Sequence, residues 1–519
     1  MNSIEENNPL KQGDQIYFFR AFMLFMLAHF ILNLLGSPLV LYSGALVACT
    51  AFFSVIFLKW QQAFYIAVLY TLVGGQIKVI WGYNPFFRLV GDFLMVILVF
   101  RNFVNTRKLF DFTKVPNFVV WLIVGHFLWF IVCLFNPNGA GLFASFASGK
   151  FYILPIFYFF AIISQDFDIT SRYFKDFLKV FMFFVILEAI LVIYQSIQGP
   201  EFMFSMNNNY KSLFEKFTLF AEESSFRPWG TTAHPGGYST FFFLSSGFTF
   251  LWTVQPGGDE EQKLSLTKKL FVFTFTIFTL FAVFISQVRA SFIKEVLIIA
   301  LGLFFSFIGT RFAAKRIITV GVGVIAVLFV GSFTLNKTTN FEQIMSFGKA
   351  LERIEALDSI DRMTKQRSSV ASVFNAIGTR FSRPMGLGLG MTSDYLPAYI
   401  EKRRRMVDIK PLSYWSYDNL FVSLAGELGI GALFLILTII GVPLILTSLM
   451  FSALREKNYV VFRTVCYCAV SVLVITVGQW GAIGIIYPPE FQYYWFYVAL
   501  AMTAYYKAFP KVQGSRPKY

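Results

Sequence analysis

The sequence predicts an all-α fold, a polytopic integral membrane bundle of about fourteen (12–14) transmembrane helices, and three observations lead there. The chain of 519 residues is 56% hydrophobic and 19% aromatic with only 14% charged residues, and its mean hydropathy is +0.62. That mix lies outside the range of soluble globular domains. A bilayer core about 30 Å thick needs roughly 20 apolar residues per helix, and runs of that length recur along the whole chain. The runs are continuous, so the ten-residue alternation of an outer-membrane barrel is missing. Soluble enzymes, secreted domains and disordered tails are excluded with it.

Taken in order, residues 1–15 are polar and carry both charge signs, and no small-residue cleavage site follows the first apolar run, which predicts a retained cytoplasmic tail. The expected spans are 16–35, 38–58, 62–81, 86–104, 116–135, 148–163, 176–197, 233–254, 269–286, 290–308, 317–335, 417–440, 460–480 and 490–507. The bundle therefore covers 16–335 and 414–507, and 508–519 form a second tail. Basic residues cluster in alternate connections: Lys11 and Arg20, Lys59, Arg101 to Lys114, Arg172 to Lys179, Lys263 to Lys269, Arg311 to Arg316, Arg455 to Arg463, and the C-terminal tail. The positive-inside rule then puts both termini in the cytoplasm. The net charge of +15 reads as topology signal and lipid-phosphate contact, and no nucleic-acid partner is expected.

Two long connections face outward on this topology, 198–232 and 336–413, the second a small extracytoplasmic domain. Its basic residues do not oppose the assignment, because long loops translocate largely regardless of charge. Phe341, Ile344, Met345, Leu351, Ile354, Leu357, Ile360 and Met363 recur there at helical spacing. They predict an amphipathic helix, either covering the bundle mouth or lying in the interface beside a lipid substrate. Cys49, Cys133, Cys466 and Cys468 sit in apolar runs and read as small core residues.

An ionisable group within a span is costly and needs a reason. Lys78, Asp92, Glu188, Arg289, Lys294, Glu295 and Glu427 are such groups. Lys78 and Asp92 could pair structurally, and Ser291 and Glu295 share a helix face. His29 and His126 fall mid-span and read as polar packing groups. The segment Glu222 to Gly237 brings Glu223, Arg227, Trp229 and His234 together at the start of the eighth span. Ser286 to Ser291 is a turn with one arginine, Arg289, whose planar fork suits phosphate oxygens. Downstream come Arg380, Arg383 and Pro384-Met385-Gly386-Leu387-Gly388-Leu389-Gly390, then Tyr414-Trp415-Ser416-Tyr417-Asp418-Asn419 and Glu427-Leu428-Gly429-Ile430-Gly431. The glycine run fits neither a dinucleotide fingerprint nor a P-loop, and by itself reads as a turn.

In order, these segments resemble the O-antigen polymerase and O-antigen ligase family of bacterial membrane glycosyltransferases. The resemblance covers mainly 220–440, with a fainter echo at Asn136 to Lys150 and Tyr194-Gln195. It implies a GT-C-like bundle in the bacterial cytoplasmic (inner) membrane, acting on undecaprenyl-diphosphate-linked oligosaccharide at the outer face. A chain-length regulator and a flippase are implied as partners. An acceptor hydroxyl attacks the anomeric carbon of the donor glycan and the lipid diphosphate leaves. Such chemistry needs cations for the leaving group, a proton acceptor and aromatic surfaces for sugar rings. Arg289, Arg380, Arg383 and Arg227 are the implied diphosphate ligands. His234, Asp418 and Glu223 are the implied catalytic groups, and Trp229, Tyr414, Trp415 and Tyr417 the implied sugar contacts. The usual His-Asn is Asp418-Asn419 in this chain, which favours a polymerase over a ligase. A lipid-linked oligosaccharide flippase is the alternative of a different class, and the long outward loop and clustered motifs speak against it. Asp166-Phe167-Asp168 has the spacing of a metal-nucleotide site but lies in a short connection and reads as a solvated loop. Neither a metal cluster nor a cofactor fingerprint appears, so metal-independent, cofactor-free catalysis is expected.

Overall fold

The structure, a computed structural model, describes residues 12–106, 114–137, 139, 141–165, 167–218, 228–233, 237–254, 266–285, 289–306, 384–386, 388–389, 427–477 and 489–510. Regular structure among these residues is helical throughout, with no strand. In chain order the helices are α1 (Gln12–Leu34), α2 (Val40–Phe57), α3 (Trp60–Ile80), α4 (Pro85–Thr106), α5 (Asn117–Leu134), α6 (Leu142–Ile153), α7 (Ile156–Ile163) and α8 (Arg172–Gln198). There follow α9 (Pro200–Met206), α10 (Asn208–Thr218), α11 (Ser239–Thr253), α12 (Leu266–Ile285), α13 (Arg289–Ser306), α14 (Ala432–Arg455), α15 (Tyr459–Val477) and α16 (Glu490–Ala508). A 3₁₀ turn, Gly429–Gly431, leads into α14.

Seven of the described helices are long and apolar enough to cross a membrane: α1, α2, α3, α5, α8, α14 with its 3₁₀ turn, and α15. Local chemistry sets several boundaries. Ser171 caps α8, its hydroxyl accepting from Phe174 N–H at 3.2 Å, and Pro200 occupies the first position of α9, where no N–H is needed.

Several expected boundaries are corrected. The sixth span, expected over 148–163, is found as the apolar helical stretch Gly149–Ile163, within which Leu154-Pro155 separate α6 from α7 because proline supplies no N–H to the ladder, and α6 begins earlier, at Leu142. The connection 198–232 is not plain loop: α9 and α10 lie in it, with Met203, Met206 and Tyr210 buried. The span expected over 417–440 continues to Arg455, with Pro443 inside α14. The span at 317–335, the amphipathic segment 341–363 and nearly all of the loop domain lie outside the described residues.

The helices fall into two compact units. The first holds α1–α4 and α8–α13, with α3 buried on nearly every face. The second holds α5–α7 and α14–α16, with α16 buried from Glu490 to Thr503. Between spans in lipid, burial gains little from water exclusion, so close approach and internal hydrogen bonds carry the packing.

Candidate functional site

In the first unit, the segment Trp229 to Thr232 enters the helix bundle instead of crossing its surface, and its four residues are at most 6% exposed or, for Gly230, classed buried. Gln195 Oε1 accepts from Trp229 N–H at 3.1 Å and Gly230 N–H at 2.8 Å. Glu188 Oε1 accepts from Thr231 N–H at 2.8 Å, and Glu188 Oε2 lies 2.8 Å from Thr231 Oγ1. Glu188 stands ten residues before Gln198, the last residue of α8, so the segment reaches about 15 Å along that helix. Thr231 also enters the α3 ladder: its carbonyl takes the Gln76 N–H at 2.9 Å, and its hydroxyl meets Leu72 O at 2.5 Å. Glycine permits this approach. A Cβ on Gly75 would lie 2.8 Å from Ala233 N, and one on Gly230, whose φ is +57°, would strike the Glu188 carboxyl.

Trp229 was expected to stack on sugar. At 1% exposure it has no open ring face; it packs edge-on to Tyr210 at 5.3 Å in a cluster with Val40, Val79, Ile80, Met203 and Met206. In this structure it anchors the loop. Behind it a buried polar network joins α1, α3 and α10: His29 Nε2 is 2.9 Å from Gln76 Oε1, Asn33 Nδ2 donates to the same oxygen at 3.1 Å, and Gln76 Nε2 donates to Tyr210 OH at 2.8 Å. Burial raises the Tyr210 phenol above its ordinary range, against the opposing hydrogen bond from Gln76.

A second polar patch joins α11, α12 and α13. Ser239 Oγ, in the first turn of α11, donates to Ser291 Oγ at 2.8 Å, two residues past the start of α13 at Arg289. Ser239 lies two residues past the Glu222 to Gly237 segment and Ser291 closes the Ser286 to Ser291 motif, so this contact ties the two motifs. One helical turn on, Glu295 Oε1 accepts from Ser246 Oγ at 2.6 Å and lies 2.9 Å from Thr279 Oγ1, while Glu295 Oε2 is buried and has no hydrogen-bond partner among the described residues. Lys294 Nζ sits over the Phe243 ring at 4.9 Å. Lys78 and Asp92 form the structural pair that their spacing suggested, at 3.3 Å.

In the second unit, three segments far apart in sequence meet. Pro384 O accepts from Ile430 N–H at 2.9 Å, and Asn136 Nδ2 donates to Met385 O at 2.9 Å and Gly386 O at 3.2 Å. Gly429 has φ +58° and faces the Pro384 carbonyl so closely that a Cβ would overlap it. Gly431 lies against the Trp129 indole, whose Nε1–H donates to Leu428 O at 2.8 Å. Leu389 is fully buried beside Gly149. Tyr152 OH donates to Glu427 Oε2 at 2.8 Å, and His126 Nε2–H donates to Tyr152 O at 3.0 Å. Lys150 is 4% exposed, its Nζ 5.3 Å from the Phe151 ring. The Asn136 to Lys150 segment, the proline–glycine turn and the Glu427 to Gly431 motif therefore share one locus.

Glu223, Arg227, His234, Arg380, Arg383, Tyr414, Trp415, Tyr417 and Asp418 lie outside the described residues, and Arg289 is described only as the first residue of α13. Sequence reasoning passed over Gln76, Tyr152 and Thr231 as partners. For Gln76 and Tyr152 the signal was a polar side chain inside an apolar run, which in lipid requires an internal partner; Thr231, in a polar segment, carried no such signal. No protein-family model matches the chain, and no curated protein matches it.

Proposed function

We propose that the chain is a polymerase of lipid-linked oligosaccharide repeats, a membrane glycosyltransferase working at the outer face of a bacterial cytoplasmic membrane. On this reading the fourteen spans, with both termini cytoplasmic, turn the Gln198 end of α8 and the start of α13 outward. The acceptor sugar hydroxyl attacks the anomeric carbon of the donor glycan. The bond from that carbon to the diphosphate oxygen breaks, undecaprenyl diphosphate leaves with the electron pair, and a protein base takes the hydroxyl proton. Arg289 binds the diphosphate, assisted by Arg227, Arg380 and Arg383. His234, Asp418 or Glu223 accepts the proton, and Tyr414, Trp415 and Tyr417 bear on the sugars. Trp229 is assigned to loop anchoring instead.

The observation that carries the reading is convergence. Motifs that define the resemblance by order alone, Pro384 to Gly390 and Glu427 to Gly431, are hydrogen-bonded through Pro384 O and Ile430 N–H, with Asn136 on the same turn. The Glu222 to Gly237 and Ser286 to Ser291 motifs are likewise joined, through the Ser239–Ser291 contact just past the first and at the end of the second. The test is purified protein incubated with a lipid-diphosphate-linked repeat alone. A ladder spaced by one repeat supports polymerisation. Transfer only to an added second acceptor gives a ligase, and lipid-linked repeat crossing the bilayer unchanged gives a flippase.

A further inference from the structure

The contacts around Thr231 fix a proton count. Its hydroxyl lies 2.5 Å from Leu72 O and 2.8 Å from Glu188 Oε2. Both distances are hydrogen-bond distances between oxygens, and each such bond needs a hydrogen between its partners. Leu72 O is a carbonyl and has none, and Thr231 supplies one. The neighbouring backbone hydrogens are committed elsewhere: Thr231 N–H to Glu188 Oε1 at 2.8 Å, and Gln76 N–H to Thr231 O at 2.9 Å. The second hydrogen has one source left, the Glu188 carboxyl itself. Glu188 is fully buried and forms no ion pair among the described residues, a setting in which a carboxylate is strongly disfavoured.

We infer that Glu188 is held as a neutral carboxylic acid that donates its proton to Thr231 Oγ1 and so latches the segment Trp229 to Thr232 against the backbone of α3. The Thr231 hydroxyl passes its own hydrogen to Leu72 O, closing the chain of donors from Glu188 to α3. Gln195 completes the latch from the next turn but one of α8 by taking the Trp229 and Gly230 N–H groups. Glu188 is a positioning residue: it touches Thr231 and through it sets the segment that runs directly to His234. The catalytic consequence of that positioning rests on the polymerase reading; the latch does not.

The latch makes an unusual demand on substitutions. In E188Q the amide nitrogen donates where the carboxyl did, and the amide oxygen still accepts from Thr231 N–H, so the segment stays in place. In E188A both contacts are lost. T231S keeps the relaying hydroxyl and T231V removes it. Hydrogen–deuterium exchange of full-length protein in nanodiscs, followed on peptides covering 228–238, is expected to match the unsubstituted protein in E188Q and T231S. Exchange should accelerate on the order of tenfold or more in E188A and T231V. Infrared difference spectra of unsubstituted protein minus E188Q should show loss of a protonated-carboxyl C=O stretch. Loss of carboxylate bands instead overturns the inference, and so does E188Q exchanging as fast as E188A. Should E188A or T231V fail to fold, the infrared comparison decides alone. Neither readout needs a glycan substrate, so failure of the polymerase reading leaves the latch standing. If the reading holds, E188A shortens the product ladder and E188Q restores it.

Discussion

The two units hold their sequence motifs by different physics. In the first, Trp229 to Thr232 is held inside the bundle by side chains reaching from helices, Glu188 and Gln195 from α8, and by Gln76 N–H of α3 donating to the Thr231 carbonyl. In the second, the Pro384 to Gly386 turn is seated backbone against backbone on Gly429 and Ile430, with one side chain, Asn136, pinning it. A side-chain latch can be lost and restored by choosing the substituent. A glycine seat tolerates no substituent. The difference teaches where each unit should break.

On the proposed polymerase reading, which the predictions on polymerisation assume, the largest expected effect falls on chemistry. Arg289→Ala should lower polymerisation by at least about a hundredfold with expression intact, measured as product length on a gel. Near-normal product would remove Arg289 from the site. Next comes the glycine seat: Gly429→Ala forces a Cβ onto the Pro384 carbonyl at φ +58° and should cost about 2–4 kcal/mol. Chemical denaturation in detergent checks this, and an unchanged midpoint would mean the turn is not seated there. Tyr152→Phe removes a single buried hydrogen bond to Glu427 and should cost about 1–2 kcal/mol by the same measurement. Asp176→Asn breaks half-exposed contacts to Lys179 and Arg172, and should shift stability by no more than about 0.5 kcal/mol. A larger loss there would show that surface charge matters more to the first unit than its buried latch does. Excess EDTA should leave polymerisation unchanged, and loss of activity restored by a divalent cation would refute metal independence.

The sequence made much of this legible, because the signal for a membrane helix is length and continuity of apolar residues. It placed α1, α2, α3, α5, α8 and α15 within a few residues. It failed where polar or special residues interrupt such a run without ending it, or end it without looking like a break. The span expected to end at 440 runs on past Pro443, which lies inside α14, and Pro155 interrupts the ladder of the stretch Gly149–Ile163 without ending it. The segment Glu222 to Gly237 read as a meeting of charged and aromatic groups at the membrane surface. Its Trp229 to Thr232 portion is instead buried, and composition gives no warning of that. The missing information was the partner: Glu188 looked like an isolated charge until Thr231, 43 positions on, met both its oxygens. Long-range pairing of this kind leaves no periodicity to read.

The central proposal is that the chain joins lipid-linked repeats, with linkage and release of lipid diphosphate as one event. The direct measurement is to follow both, on labelled lipid-diphosphate-linked repeat with purified protein in nanodiscs. The account predicts one lipid diphosphate released for every linkage made, with both lost together in Arg289→Ala. Intact lipid-linked repeat moved across the bilayer of sealed vesicles, with no lipid diphosphate released and no linkage formed, would contradict it.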